Sequence, residues 1–248
     1  MLQIIPVRVS GNVNPKDDLG EILLASVKQN DLEIQDGDIL VVAHKIVSKA
    51  EGRIVDLEKV KPSPKAKKMG KEHGKDPRIM QLILKESAKI LKAKSGIIVS
   101  ETRHGLVCAN AGVDQSNVQG DSALLLPVDP DKSARLLMEA INEKTGKQVA
   151  VIITDTFGRP FREGQTNVAI GVAGIDPIKS YIGSRDMYGR KLRVSEIAVA
   201  DEIASAAELV MGKSEGVPLA IMRGYMFEKA KSSAKSLQRS RKHDLFRQ

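Results

Sequence analysis

The chain has 248 residues, 42% hydrophobic and 28% charged, which supplies apolar material for one large core or two smaller ones and excludes disorder of the whole chain. Its formal net charge of +8 invites a nucleic-acid partner, yet residues 59–75 alone carry +6 and residues 228–248 carry +5, leaving −3 on the other 210 residues. With no Trp, three Tyr and four Phe there are few rings for bases to stack on, so a generic nucleic-acid binder is the minority reading, and no apolar run approaches the ~20 residues of a membrane span.

Taken in chain order, Leu2 to Val9 reads as a strand, and Asp17-Asp18 precedes a helix whose Leu19, Ile22, Leu23 and Val27 recur at helical spacing. Asp36-Gly37-Asp38 signals a turn into Ile39 to Ala43, a continuous apolar run suited to a strand buried on both faces. The polar stretch HKIVSKAEGR that follows is expected as a loop, either ligand-binding or merely solvated. Pro62 and Pro64 break the chain, and residues 65–91 read as two helices separated near Gly70 and Gly74, with the lysines on a solvated face. Strands are expected at 96–100, 106–109 and 123–126, then a helix at 130–145 stopped by Gly146. Gln148 to Thr154 is the strongest strand; a further strand at 167–172, an Ala-rich helix at 197–211 and a buried strand at 218–222 complete the pattern. The interleaving, with antiparallel pairs expected around 96–126, predicts a mixed α/β or α+β fold, neither doubly wound nor P-loop. No linker divides the chain, which reads as one unit over 1–248 or two intimately packed subdomains.

Cys108 is the only cysteine, so an intrachain disulfide is impossible and a reducing cytoplasm is the expected setting. The N-terminal MLQIIPVRV lacks the features of a secretory signal. Cys108 lies in an apolar pattern that favours inert burial, and the four histidines have no zinc-ligand spacing.

Thr154-Asp155-Thr156, placed where the strongest strand is expected to end and followed by Gly158-Arg159 and Arg162, combines oxygen donors for a hard cation with guanidinium groups for phosphate. Alone, Asp155 reads equally well as a turn residue. A second oxygen-rich stretch, Asn110-Ala111-Gly112-Val113-Asp114-Gln115-Ser116-Asn117, offers Asp114 and Asn117; convergence of the two loops would let the two aspartates share metal ions beside a nucleotide's phosphates, while Asp114 could instead cap a helical turn. Met211-Gly212-Lys213-Ser214 contains a GKS, but Ala207 stands where a P-loop needs its first glycine and a helix, not a strand, leads in.

Together these stretches resemble the coenzyme F420:L-glutamate ligase family. The resemblance is carried by Asp17-Asp18-Leu19, by Asp36-Gly37-Asp38 through His44 to Arg53 (HKIVSKAEGR), by Asn110 to Asp114 with Ser116-Asn117, by Thr154-Asp155-Thr156 with Gly158-Arg159 and Arg162, by Tyr188-Gly189-Arg190 and by Met211-Gly212. It implies an F420 gamma-glutamyl ligase-like fold, a homodimer, and a GTP-dependent reaction that activates the coenzyme precursor's carboxylate as an acyl phosphate for attack by L-glutamate, with successive additions. It implies GTP as co-substrate with Mg²⁺ or Mn²⁺, two divalent ions, and leaves room for a monovalent cation. Asp114 and Asp155 inherit one metal and Thr156 the second. The nucleotide falls to His44, Lys45, Lys49, Asn117 and the loop Met211, Gly212, Lys213, Ser214, Glu215, Gly216, Val217. Lys49 and Arg159 join Asp155 as the catalytic set, offsetting the charge that develops on transfer. Two departures stand out. The first loop reads Ser10-Gly11-Asn12-Val13 where many members have G-L/I-P, and Lys213 stands where the family often places Gln or Glu to complete the second metal site, with Glu215 as the candidate substitute. The ending Asp244-Leu245-Phe246-Arg247 is similar to the family's own and is expected to pack on the fold.

Overall fold

The apolar run at 39–43 forms the middle of a five-stranded sheet. A computed structural model describes residues 1–94, 96–231 and 233–245. The first half of the chain runs β1 (Gln3–Val7), α1 (Leu19–Gln29), β2 (Ile39–Ala43), α2 (His44–Ala50), β3 (Ile54–Asp56), α3 (Pro64–His73), α4 (Pro77–Glu86), β4 (Ser87–Lys94), β5 (Ile97–Thr102), β6 (Val107–Ala109) and β7 (Ser122–Leu124). The second half runs α5 (Pro130–Thr145), β8 (Ala150–Arg159), β9 (Arg162–Ala173), β10 (Lys179–Ser180), β11 (Glu196–Ile197), α6 (Val199–Met211) and β12 (Leu219–Arg223). The main sheet has the order β1-β12-β2-β8-β9, and only β2 and β8 are parallel. The fold is therefore mixed α+β, as the sequence predicts.

Alternation along the strands explains the layering. Leu40, Val42, Val151 and Ile153 point to one face, where Leu23 and Val27 of α1 and Leu137 and Ile141 of α5 cover them. Ile39, Val41, Ala150 and Ile152 point to the other, against Ala200, Ile203, Ala204 and Ala207 of α6. Small residues on α6 and a glycine on β9 permit close approach: a Cβ on Gly171 would lie 2.3 Å from the Pro130 carbonyl oxygen at the start of α5. A third core, built on Leu57, Met80, Ile83, Ile98 and Leu125, joins α3 and α4 to the antiparallel ladders β3-β7 and β4-β5-β6.

Three elements differ from the sequence reading. The HKIVSKAEGR stretch is not a loop through its length, because His44, Val47 and Ser48 are buried at helical spacing and form the inner face of α2. The second predicted helix stops at Glu86 instead of reaching residue 91; Ser87 is extended, and Lys89, Lys92 and Lys94 then lie on β4, an edge strand whose lysines discourage pairing with another chain. Finally, the strongest strand does not end at Thr154. It continues to Arg159, because β9 pairs along its whole length, with Asp155 opposite Val168 and Thr156 opposite Asn167.

The basic segments take structural places. Lys65, Lys67, Lys68 and Lys71 lie on the exposed faces of α3, around buried Ala66 and Gly70. Residues 233–241 pack back: Ser233 and Ala234 donate to Asp131, Gln238 donates to the His104 carbonyl at 3.1 Å, and Arg241 pairs with Glu101 at 3.3 Å, whereas Leu245 of the ending is 72% exposed. Phe246 and Arg247 lie outside the described residues. No described helix is long and apolar enough to cross a membrane.

Candidate active site

The site is built where β2 hands over to α2. The last pairing of β2 with β8 is Ala43 opposite Thr154, and the register of β8 against β9 shifts between Ile153 and Thr154. Beyond that point β8 keeps β9 on one side and loses β2 on the other, so Asp155 and Thr156 sit on a strand whose free side faces a cavity of about 280 Å³. Gly11, Asn12, Val13 and Asn117 also line it, with Met211 from the end of α6 and Gly212, Lys213, Ser214, Gly216 and Val217 from the turn after it. His44, Lys45 and Lys49 line it from α2.

Helical geometry aims those α2 residues. Lys45 and Lys49 are four apart, hence stacked one turn above the other on one face, while His44 and Ser48 stack on the buried side. Two ammonium groups at that spacing repel, so the arrangement favours an anion over them. The Lys49 ammonium makes no hydrogen bond or ion pair with any described residue, and burial, with the charge of Lys45 added, pushes its pKa below the usual lysine value.

Consecutive residues of the first turn of α2 reach the two aspartates. His44 Nε2 lies 3.2 Å from Asp155 Oδ1, and Nδ1 lies 3.4 Å from Ser48 Oγ. Facing a carboxylate, Nε2 is placed to donate to Asp155, and Nδ1 faces the Ser48 hydroxyl. Lys45 Nζ lies 2.6 Å from Asp114 Oδ2 and also donates to Ser116 Oγ. Asp114 itself is fixed through its backbone, which exchanges hydrogen bonds with Leu124 at 3.0 and 2.7 Å, after a turn in which Asn110, Ala111 and Gly112 all have positive φ. Burial works against its charge, but bonds from Lys45 and Ser116 outweigh this and hold the Asp114 carboxyl below its ordinary range. Asp114 is thus joined to the cavity through Lys45 without lining it.

Several candidates stand elsewhere. Arg159 is four residues along β8 from Asp155, about 13 Å at ~3.3 Å per residue, and its guanidinium donates to the Glu163 and Gly164 carbonyls in the hairpin tip. It does not line the cavity, because the strand continues where a turn was expected. Glu215 is exposed and turned back on its own loop, accepting from the Ser214 N–H at 2.8 Å and the Ser214 hydroxyl at 3.0 Å, bonds that lower its pKa. Ser10 stands between the lining residues Val9 and Gly11 without being one. The motif residues Glu51 and Arg53 are joints: Glu51 accepts from the Val128 N–H and Ser133, and Arg53 donates to the Leu126 carbonyl at 2.8 Å and to Glu86 at 2.7 Å. Cys108 is buried, and that burial, with the nearby charge of Asp155, pushes its thiol up to about 12, which makes it a poor nucleophile.

One lining residue carries no sequence motif. Asn167 on β9 is 5% exposed, accepts the Thr156 hydroxyl proton at 2.7 Å and lies 3.4 Å from Lys213 Nζ. A polar residue before the apolar run 168–173, on the strand that pairs with Thr154-Asp155-Thr156, is the signal that marks it.

The donors set limits on a metal. Asp155 Oδ2 accepts no hydrogen bond from any described residue, which leaves one hard carboxylate oxygen for an oxygen-seeking divalent ion, whereas Asp114 is engaged by Lys45 and Ser116. Among the described residues no cluster of three or more His, Cys, Asp or Glu forms a self-sufficient metal cage.

A family model described as F420-0:Gamma-glutamyl ligase matches residues 9–224. The chain is 48% identical over 249 residues to the coenzyme F420:L-glutamate ligase of Methanothermobacter thermautotrophicus, covering 99% of each chain. It is 45% identical over 251 residues to the protein of that name from Methanopyrus kandleri, covering 99% of this chain and 98% of that one. The Archaeoglobus fulgidus coenzyme F420:L-glutamate ligase is 42% identical over 247 residues, 99% of this chain and 96% of its own.

Proposed function

This chain belongs to the F420-0:gamma-glutamyl ligase family, and from that premise we propose that it is an amide-forming ligase that joins L-glutamate to a carboxylate of the coenzyme F420 precursor, using GTP. A carboxylate is a poor acylating agent. Its oxygen attacks the γ-phosphorus of GTP, the bond to the β-phosphate oxygen breaks, and GDP leaves; the glutamate nitrogen then attacks the acyl carbon, phosphate departs and the nitrogen gives up its proton, leaving an amide.

The observation that carries this reading is the convergence of Lys45, Lys49 and Lys213 with Asp155 and glycine-bearing backbone around one cavity. Lys49 offers an uncompensated charge to phosphate, and Lys45 reaches the same face one turn away. Gly11 and Gly216, both at positive φ, a conformation that favours glycine, line the cavity with bare backbone. A divalent ion held by Asp114 and Asp155 supplies charge neutralisation of the phosphate oxygens during transfer. His44 orients Asp155 through the 3.2 Å contact. The reading includes a homodimer, supported by the arm between β10 and β11, which leaves Met187, Tyr188 and Val194 at least 80% exposed.

Incubation with GTP, Mn²⁺, L-glutamate and the glutamate-free precursor tests it. Mass spectrometry is expected to show a product heavier by glutamyl residues, with GDP release dependent on both acceptor and amino acid and collapsing in Asp155→Ala and Asp114→Ala. Undiminished turnover in a chelated, metal-free assay refutes the metal-assisted mechanism, and absence of product refutes the substrate assignment.

A further inference from the structure

Lys213, in the turn between α6 and β12, reaches across the cavity to β8, where its Nζ lies 2.7 Å from Thr156 Oγ1. The threonine's own proton is committed, since its hydroxyl donates to buried Asn167 Oδ1 at 2.7 Å; a lone pair of Oγ1 therefore faces the ammonium. The same ammonium lies 3.4 Å from Asn167 Oδ1 and 3.3 Å from Glu208 Oε1 in the last turn of α6. A hydroxyl, an amide carbonyl and a carboxylate from three elements thus surround one positive charge. Hard oxygen donors of these kinds are what a divalent ion uses, at about 2.0–2.6 Å. Here a lysine occupies them. The other carboxylate of the turn, Glu215, is spent on Ser214 and does not line the cavity.

An ammonium hydrogen-bonded to Thr156 Oγ1 and a metal ion ligated by the same lone pair exclude each other, sterically and by like charge. The resemblance-implied second ion therefore does not fit this donor set, whereas Asp155 keeps a carboxylate oxygen free of hydrogen bonds from any described residue for the first. We propose that Lys213 is a built-in cation that takes the place of a second divalent ion at Thr156 and faces the nucleotide's phosphates, so that the chain loads a single divalent ion with its nucleotide. The proposal rests on reading the cavity as a nucleotide site. A lysine holds +1 where a metal would hold +2, cannot ligate phosphate directly, and stays in place whatever the free metal concentration. It acts on substrate charge through its own charge and charge-assisted hydrogen bonds.

The test counts bound Mn²⁺ by electron paramagnetic resonance on the full-length protein with a non-hydrolysable GTP analogue. Lys213 is 58% exposed along its side chain, so Lys213→Gln removes the charge and adds an amide oxygen without opening the core. The expected result is one equivalent in the unaltered chain, lost in Asp155→Asn, and two equivalents in Lys213→Gln, the gained ion disappearing again in Lys213→Gln/Thr156→Val. Two equivalents in the unaltered chain, or a Lys213→Gln count that stays at one, overturns the proposal while leaving the nucleotide site standing. If the analogue brings no Mn²⁺ to either protein, the nucleotide-site reading itself fails and the proposal falls with it.

Discussion

Lys45 at present holds the carboxylate that a metal would need, so removing it should tighten metal binding while weakening nucleotide binding. The pair lies at 2.6 Å, with side chains 26% and 38% exposed. At an effective dielectric of about 20 the bare attraction is about 6 kcal/mol. That figure ignores the solvation both groups recover on separating, and measured pairs of such exposure retain only about 1 kcal/mol. An incoming ion must displace this residue, and 1 kcal/mol corresponds to about fivefold in affinity. Lys45→Met is therefore expected to bind Mn²⁺ about fivefold more tightly in the absence of nucleotide, by isothermal titration calorimetry, and to bind the GTP analogue more weakly because a phosphate-facing cation is gone. Removing any positive charge nearby also helps a metal. The pairwise part is isolated by repeating the change in Asp114→Asn, where the gain should shrink. Unchanged or weaker Mn²⁺ binding in Lys45→Met, or the same gain in both backgrounds, refutes the exchange of ammonium for metal at Asp114.

Arg223 on β12 donates to both oxygens of Asp38 at 2.8 Å, and Asp38 is 1% exposed, so Arg223→Met strands a buried carboxylate and is expected to cost about 3 kcal/mol in urea unfolding, with Asp38→Asn added to it restoring part; equal stability of the two variants refutes that cause. Lys49 has its pKa pushed down by burial and by Lys45, so it loses its charge at a lower pH than an ordinary lysine, and affinity for the GTP analogue should fall on the alkaline side earlier than free-lysine titration predicts. Lys49→Arg should flatten that limb of the binding curve, and an unchanged alkaline limb refutes the assignment to Lys49.

What the sequence disclosed follows the strength of local signals. Helix α1 begins at Asp18, whose carboxylate caps the Glu21 N–H at 3.0 Å, and α5 begins at Asp129 and ends at Gly146 in a left-handed conformation, so caps and periodicity agree there. β2 and the first half of β8 are continuous apolar runs with no competing interpretation. By contrast α2 hides its helical period inside a lysine-rich heptad, since only Ile46 and Val47 are obviously apolar and the buried His44 and Ser48 look polar on paper. β4, SAKILKAK, fits either period, and it is the pairing with β5, itself irregular at two positions, that decides. The second half of β8 is composed of turn-like residues and is extended only because β9 runs beside it. The cost of that misreading fell on Arg159, carried by strand geometry to the hairpin tip, and its reward was Asn167, visible once the register places it opposite Thr156.

The charge balance of the cavity connects these local outcomes. Lys45 is matched to Asp114 and Lys213 to Glu208, His44 contacts Asp155, and the Lys49 ammonium has no such partner among the described residues. Internal pairing lowers the cost of holding several charges in a partly buried cleft when no ligand is present. It also means that a polyphosphate cannot draw Lys45 fully to itself without leaving Asp114 exposed to like charge, and a divalent ion cannot take Asp114 without setting Lys45 free. Each ligand removes the obstacle to the other, because the metal accepts the carboxylate that the phosphate would leave unpaired. On the proposed function, nucleotide and metal are therefore expected to bind with positive coupling that arises from side chains on α2, and the overall charge of +8, carried by residues 59–75 and the C-terminal segment, has no part in it.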